Sequence, residues 1–518
     1  MKKCVYIILF LMAVVEIHAQ NDLRALAAAI DTIVRVFPQD TIVGAIVEEV
    51  FQKHNKSAYL ATRIAKSYYK YNEEEGNVYT ADGLHKLRHF HKNDSAKSFM
   101  YIRRAIEIDP RYAEAYVLAC DILDYSGKTQ EGMEWLNRGL QQNATDTALY
   151  VAQAQILART DVEAAKSKLE ELRRYSPDFP VELYIARIYD KMDVRGTEYR
   201  AQVADYYSKI DKSKMTRGDL ESYVMSLYYS GKNDECNTQA KECLIIYPKS
   251  LALNRFYFRS LIPLKEYKEA LSAYENLKAS ENAIVEVRDS ICYAAALAGV
   301  KQYDQAVDLF FAILRKEDLS EDDMKWTNSY LDQCMQSRVK DFTDSGDYQQ
   351  AANIYSDFIE KRRSVGDVDD KMNSTLAKIY IDWAEELNGP DKVSKLMAAD
   401  KILEDAIANI KTRSNAATFA FMRFFYIYLK IDPNAETGAG MPAVNQYENL
   451  VTSDGEVPTG TNVQRLVLAY RYALGYYVFG KKDYDAGMKY ADKILDLDPT
   501  NEQATKFLGA ISKSRRRK

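Results

Sequence analysis

The chain has 518 residues, 28% of them charged, and a formal net charge of −5. That acidic lean argues against a nucleic acid partner, whose binding calls for a basic face. Length alone suggests about three or four domains, but an internal repeat merges most of the chain into one elongated body.

In chain order, Lys2 and Lys3 precede an apolar run from Val5 to Val15. This reads as a secretory signal peptide over 1–19, cleaved after Ala19, because the run is too short to span a bilayer. Cys4 precedes the run, so it is not a lipoprotein cysteine. No later segment is apolar and long enough to cross a membrane, and the mature chain is expected in the periplasm or at the cell surface. Losing Lys2, Lys3 and Glu16 leaves it one unit more negative. Residues 20–56 then read as a capping helical hairpin, broken at Phe37-Pro38, with Asp40 and Thr41 able to cap its second helix.

A repeated array is expected over 57–364. Its first helix, 57–71, is separated from a partner at 96–108 by an insert, 72–92, that holds Glu73, Glu74, Glu75 and three histidines. The block at 113–146 defines a period of about 34 residues. Numbered from Ala113, it puts Tyr116, Ala119, Cys120 and Leu123 at places 4, 7, 8 and 11, and Gly132, Leu136 and Gly139 at places 20, 24 and 27. Small residues at 8, 20 and 27 suit the close crossing of two antiparallel helices, and larger apolar residues beside them follow the spacing of a buried helix face. The frame returns at 147–179, 180–213, 217–250, 251–284, 287–320, 332–364 and 468–501. Asp109-Pro110, Ser176-Pro177, Tyr247-Pro248, Asp432-Pro433 and Asp498-Pro499 stop helices. The stretch 365–460 is degenerate, with an insertion near 388–396, an aromatic helix over 414–431 and Gly-rich loops at 432–442 and 452–462. A final unit, a capping helix over 502–513 and a basic tail fill 461–518.

This pattern resembles the tetratricopeptide repeat (TPR), although Trp is missing from place 4 in every copy. The leader's Ala19-Gln20 ending is similar to that of exported Bacteroidota proteins. The resemblance implies an all-α fold, a right-handed superhelical solenoid of antiparallel helix hairpins, that binds a protein or peptide partner in the cell envelope without catalysis. A glycan-uptake accessory is the alternative, and a helical-toroid carbohydrate-active enzyme a third. No cofactor is expected, and the oligomeric state is left open.

In such arrays the groove is lined by first helices at places 2, 5, 9, 12 and 13. Here these include Asp121, Asp124 and Tyr125, then Met225, Tyr228 and Tyr229, then Arg255 and Arg259. Aromatic and charged groups together suit a peptide or partner helix. The Lys/Asn set by which chaperone-binding relatives hold a terminal carboxylate is absent: Val117, Asp121 and Glu221 stand at the matching places.

His85 and His89 are i, i+4 and would share one helical face, where with His91 they could chelate a metal, against the plainer reading of an exposed His-rich insert. Gly438–Ala443 superficially matches a dinucleotide fingerprint but follows a helix, so it is set aside. Cys120, Cys236 and Cys243 fill small-residue slots, and with Cys292 and Cys334 read as structural thiols. Cys236 and Cys243 stand about 10.5 Å apart along one helix, beyond the roughly 7 Å limit for a disulfide. Asp-Ser/Thr-aliphatic triplets begin at Asp31, Asp40, Asp94, Asp146 and Asp289. They resemble an O-glycosylation signal of exported Bacteroidota proteins, and are equally helix-start signals.

Overall fold

Several helix starts in this chain are set by capping side chains. Asp40 accepts from the amides of Ile42 and Val43, Asp94 from Lys97, and Asp146 from Ala148 and Leu149, satisfying donors that a helix leaves free at its first turn. Three of the five Asp-Ser/Thr triplets are therefore helix caps. Asp31-Thr32 lies inside a helix, and Asp289 closes a capping box with Glu286.

The computed structural model describes residues 22–36, 40–69, 77–80, 83–86, 94–192, 199–366, 370–410, 412–453 and 457–516; the expected signal peptide lies outside them. The chain divides into two units, Met1–Ile284 and Val285–Lys518. Apart from one hairpin, the described elements are helical, an all-α fold of successive helix pairs.

In the first unit, the capping pair is α1 (Leu23–Val36) and α2 (Thr41–Lys53). Next come α3 (Ala58–Tyr68), β1 (Asn77–Thr80), β2 (Gly83–Lys86) and α4 (Ser95–Ile108). The strands pair antiparallel, with Asn77 opposite Lys86 and Val78 opposite His85. The paired helices follow the 34-residue frame: α5 (Ala113–Tyr125) with α6 (Thr129–Gln142), α7 (Thr147–Leu157) with α8 (Val162–Glu171), and α9 (Val181–Met192) with α10 (Arg200–Ser208). Two more pairs are α11 (Arg217–Tyr229) with α12 (Asn233–Ile246) and α13 (Leu251–Leu261) with α14 (Tyr267–Lys278).

The core of this unit is shared from pair to pair. One buried cluster takes Ile30 from α1, Val47 from α2, Ile64 and Tyr68 from α3, Tyr101 from α4 and Ile122 from α5. No single pair owns that interior. Each such side chain contributes about 1.5–3 kcal/mol by leaving water, and only because its neighbour is there. The small-residue slots are real crossings: a Cβ on Gly132 would stand 3.0 Å from Cys120 Sγ, and one on Gly139 3.0 Å from both Leu149 and Tyr116. Cys120, Cys236, Cys243, Cys292 and Cys334 are all buried. Burial, then the nearby Asp121 and Asp124 carboxylates, pushes the Cys120 thiol up to about 12, which leaves it unreactive as a thiolate.

The turn inside most pairs is a recurrent device. Place 15 is left-handed at Gly127, Gly231, Lys265, Lys301, Gly346 and Lys482, with φ between 57° and 81°. In the copies from Gly127 to Gly346, the next residue's amide reaches back to the carbonyl five residues earlier, as Lys128 does to Leu123 and Gln302 to Leu297. This is a Schellman closure, which wants glycine at its left-handed residue. Lys301, at φ 66°, holds an L side chain where the backbone resists it. Lys301→Gly is therefore expected to raise the stability of the chain by about 1 kcal/mol, read as a shift in the thermal midpoint. Gly346→Ala is expected to lower it.

The second unit runs α15 (Val287–Gly299), α16 (Tyr303–Leu314), α17 (Glu321–Asp344), α18 (Tyr348–Ser364), α19 (Asp370–Glu385) and α20 (Gly389–Asn409). Then α21 (Arg413–Met422) continues through a π-helical turn, Arg423–Tyr428, into Leu429–Ile431. After it come α22 (Met441–Thr452), α23 (Thr461–Gly475) with its own π turn, Tyr476–Gly480, α24 (Tyr484–Leu497) and α25 (Glu502–Arg516). The segment expected as an insertion near 388–396 is helical from Gly389 onward. Gly389, at φ 59°, makes the turn and Pro390 stands in the first turn of α20, where a missing amide costs nothing. The same Asn-Gly-Pro signal serves a loop or a helix start, which is why the sequence suggested a break.

Buried ionic hubs organise the end of this unit. The Arg423 guanidinium donates to both Asp400 oxygens at 2.7 and 2.9 Å, and the Tyr428 hydroxyl donates to the same carboxylate at 2.8 Å. Arg423 and Tyr428 are the ends of the π turn, whose wider winding brings residues five apart onto one side. Asp432 accepts from the amides of Glu436 and Gly438 at 2.8 Å and from the Tyr472 hydroxyl at 2.8 Å, folding 432–440 around one carboxylate. The glycines of the discarded fingerprint serve this loop.

Candidate partner-binding surface

The best-defined cluster of expected groove residues lies where α11 ends beside α13. Tyr228 and Tyr229 stand with ring centroids 5.4 Å apart, and Phe256 of α13 lies 5.5 and 5.7 Å from them. The edge-to-face and tilted geometries are those aromatic rings prefer. Phe256 is buried, whereas Tyr229 remains 37% exposed, so the cluster has a dry base and a wet rim.

Its placement is fixed by charge. Thr216 and Asp219 form the capping box that starts α11. The Asp219 carboxylate also takes two bonds from the Arg187 guanidinium of α9, at 2.8 and 2.7 Å, and one from the Tyr207 hydroxyl of α10 at 3.2 Å. On the far side, Glu221 of α11 accepts from Ser250 at the start of α13 and from Arg217. Burial would raise the Asp219 pKa, but the bonds from Arg187 and Thr216 overcome it and hold the carboxyl at about 2, against an ordinary 3.8. The unfolded chain thus takes up this proton first as pH falls, so the contribution is whole above about pH 4 and is lost between about pH 4 and pH 2. Acid titration followed by tyrosine fluorescence should show that loss. Asp219→Asn should flatten the titration over the same range.

The remaining groove candidates behave differently from one another. Asp121 and Tyr125 are exposed on α5, Tyr125 by 52%. Asp124 is engaged within the array, accepting from Thr129 at 2.9 Å and pairing with Arg159 at 2.6 Å. Met225 and Arg255 are half-buried, and the Arg255 guanidinium donates to the Ile284 carbonyl. Arg259 corrects the expectation: it is only 2% exposed, with its guanidinium 6.0 Å from the Phe256 ring centroid. It lies against the aromatic cluster instead of lining a groove. Phe256, at place 6, went unnoticed in the sequence because place 6 was not among the groove places.

His85 falls on β2 and not on a helix. The Gly83 that opens β2 is a poor helix residue, a cue the i, i+4 spacing concealed. His89 and His91 lie outside the described residues. Among the described residues, no three His, Cys, Asp or Glu side chains gather as metal ligands, and no helix is long and apolar enough to cross a membrane.

Fold and surface together define an all-α protein built from successive helix pairs, with an aromatic cluster on its first helices. The chain is also similar, at low identity, to several solved structures. The C-terminal part of a TPR protein from Cytophaga hutchinsonii is 17% identical, covering 56% of this chain and 99% of its own, with a TM-score of 0.35. A TPR protein from Parabacteroides merdae is 12% identical over 46% of this chain and 92% of its own, with a TM-score of 0.27. The TPR domain of P58(IPK) is 11% identical over 82% of this chain and 94% of its own, with a TM-score of 0.20. No protein-family model matches the chain, and no curated protein does.

Proposed function

We propose that this chain is an exported, non-catalytic repeat scaffold that holds a protein or peptide partner in the cell envelope. The observation that carries the reading is the Tyr228, Tyr229 and Phe256 cluster, with a buried base and an exposed edge on consecutive first helices. Rigid aromatic rings supply contact area at little entropic cost, and anchors of this kind dominate binding energy at protein interfaces. Asp121 and Tyr125 offer a second exposed polar and aromatic face on α5. Export rests on the Lys2-Lys3 start and the apolar run after it.

The test is affinity capture from envelope extracts with the intact mature chain and with Tyr228→Ser/Tyr229→Ser. The wild type should retain a defined protein set, reduced about tenfold or more by the double substitution, a loss of roughly 1.4 kcal/mol. Retention of glycans alone, or an identical protein set with both chains, would overturn the reading.

A further inference from the structure

The second unit contains a cleft of about 510 Å³ between α19, α21 and α23. Its base is apolar, with Phe421, Met422 and Ile381. Its polar lining includes three cations, Lys378, Lys430 and Arg465, against one carboxylate, Asp382. On a chain whose net charge is −5, this is a local reversal of sign. Lys378 pairs with Asp382 at 2.9 Å and Lys430 with Glu385. Arg465 differs: its guanidinium lies 4.7 Å from the Phe421 ring centroid, and among the described residues it has no carboxylate partner. It is half-buried, so water screens it less than it screens the exposed lysines.

One wall is held in place before any ligand arrives. Tyr426 lines the cleft from the π turn of α21. The ends of that turn, Arg423 and Tyr428, are both bonded to the buried Asp400. Phe425 and Tyr426 are 37% and 43% exposed, so apolar surface continues out of the cleft along the same turn. A rigid wall lowers the ordering cost of binding. π turns also recur where a helix has been bent to a functional purpose.

From the reversed charge, an Arg465 guanidinium without a carboxylate partner among the described residues, and the aromatic base, we infer that this cleft binds an acidic peptide segment with one aromatic or large aliphatic anchor. The anchor fills the space over Phe421 and Met422, and a flanking Asp or Glu carboxylate meets the Arg465 guanidinium. Charge-assisted bonds to a guanidinium are directional and strong. The volume suits one or two side chains and not a folded domain. The inference extends the scaffold reading by assigning a second site, in the other unit, and the class of sequence it takes.

The test uses the full mature chain and a fluorescein-labelled peptide, capped at both ends, with one Phe between two pairs of Glu. Anisotropy should report saturable binding that weakens as salt is added. The matching peptide with Gln for Glu should bind about tenfold more weakly. Arg465→Gln should weaken the Glu peptide by a similar factor. So should Lys378→Gln, whose exposed side chain can be changed without disturbing the fold, though by less. Tyr229→Ser should leave the peptide's affinity unchanged. Equal binding of the Glu and Gln peptides, or undiminished affinity in both Arg465→Gln and Lys378→Gln, would overturn the inference. If the peptide fails while Tyr228 and Tyr229 still govern protein capture, this site falls and the scaffold reading stands. If the peptide binds but no protein is captured, the site is upheld and the scaffold reading falls.

Discussion

Replacing Asp400 with Ala is expected to destabilise the Val285–Lys518 unit by about 3–5 kcal/mol, among the largest single-residue effects in the chain. Both partners of the Asp400–Arg423 pair have side chains only 5% exposed. Removing the carboxylate leaves a guanidinium out of water, with the more exposed Glu404 at 3.1 Å and Gln446 at 2.8 Å as its remaining partners. The Tyr428 hydroxyl loses its acceptor as well. Both ends of the π turn are released together, so hydrogen exchange should rise over 423–431 before it rises elsewhere in the unit. The double substitution Asp400→Leu/Arg423→Met should recover most of the loss, because paired apolar replacements remove the stranded charge. A single substitution within about 1 kcal/mol of wild type would mean the pair is hydrated and contributes little.

Gly480→Ala is expected to destabilise the same unit by about 3 kcal/mol, the upper end for overpacking. A Cβ at this position would stand 2.5 Å from the Glu436 backbone oxygen and 3.3 Å from that of Ala435. Side chains can rotate away from an added methyl, but this wall is backbone, fixed by the bonds that Asp432 makes along 436–439. Burial works against the Asp432 carboxylate, yet the bonds from Tyr472, Thr437 and the loop amides keep its pKa below the ordinary value. The loop therefore stays closed at neutral pH. Gly509→Ala, in α25 with no heavy atom within 4 Å of the added carbon, is the control, and should stabilise by about 0.5–1 kcal/mol. Thermal midpoints moving in opposite directions would verify both. A fall for both would point to helix ends, not the close approach, as the determinant.

The repeat frame was legible because packing repeats. Gly132 against Cys120, and Gly139 against Leu149 and Tyr116, recur at fixed places, so composition at those places betrays the crossing. The helix caps at Asp40, Asp94 and Asp146 were legible for the same reason, since capping is local. Features that depend on a partner far along the chain were not. Nothing near Arg259 announces that it lies beneath Phe256, and nothing near Arg423 announces Asp400. The π turns were invisible because their wider winding shifts the apolar period by a single residue, which reads as noise within an aromatic run such as 419–428. The i, i+4 spacing of His85 and His89 indicates a shared face only if the segment is helical, and Gly83–Lys86 is a strand.

Partners are expected to meet the first helices of the pairs and not the second. A photo-crosslinking amino acid at position 229, on the exposed end of α11, and another at position 238, on the exposed face of α12, test it directly in the intact chain. A crosslinked partner is expected from position 229 and none from position 238. Crosslinking of equal yield from both positions, or from position 238 alone, would contradict it.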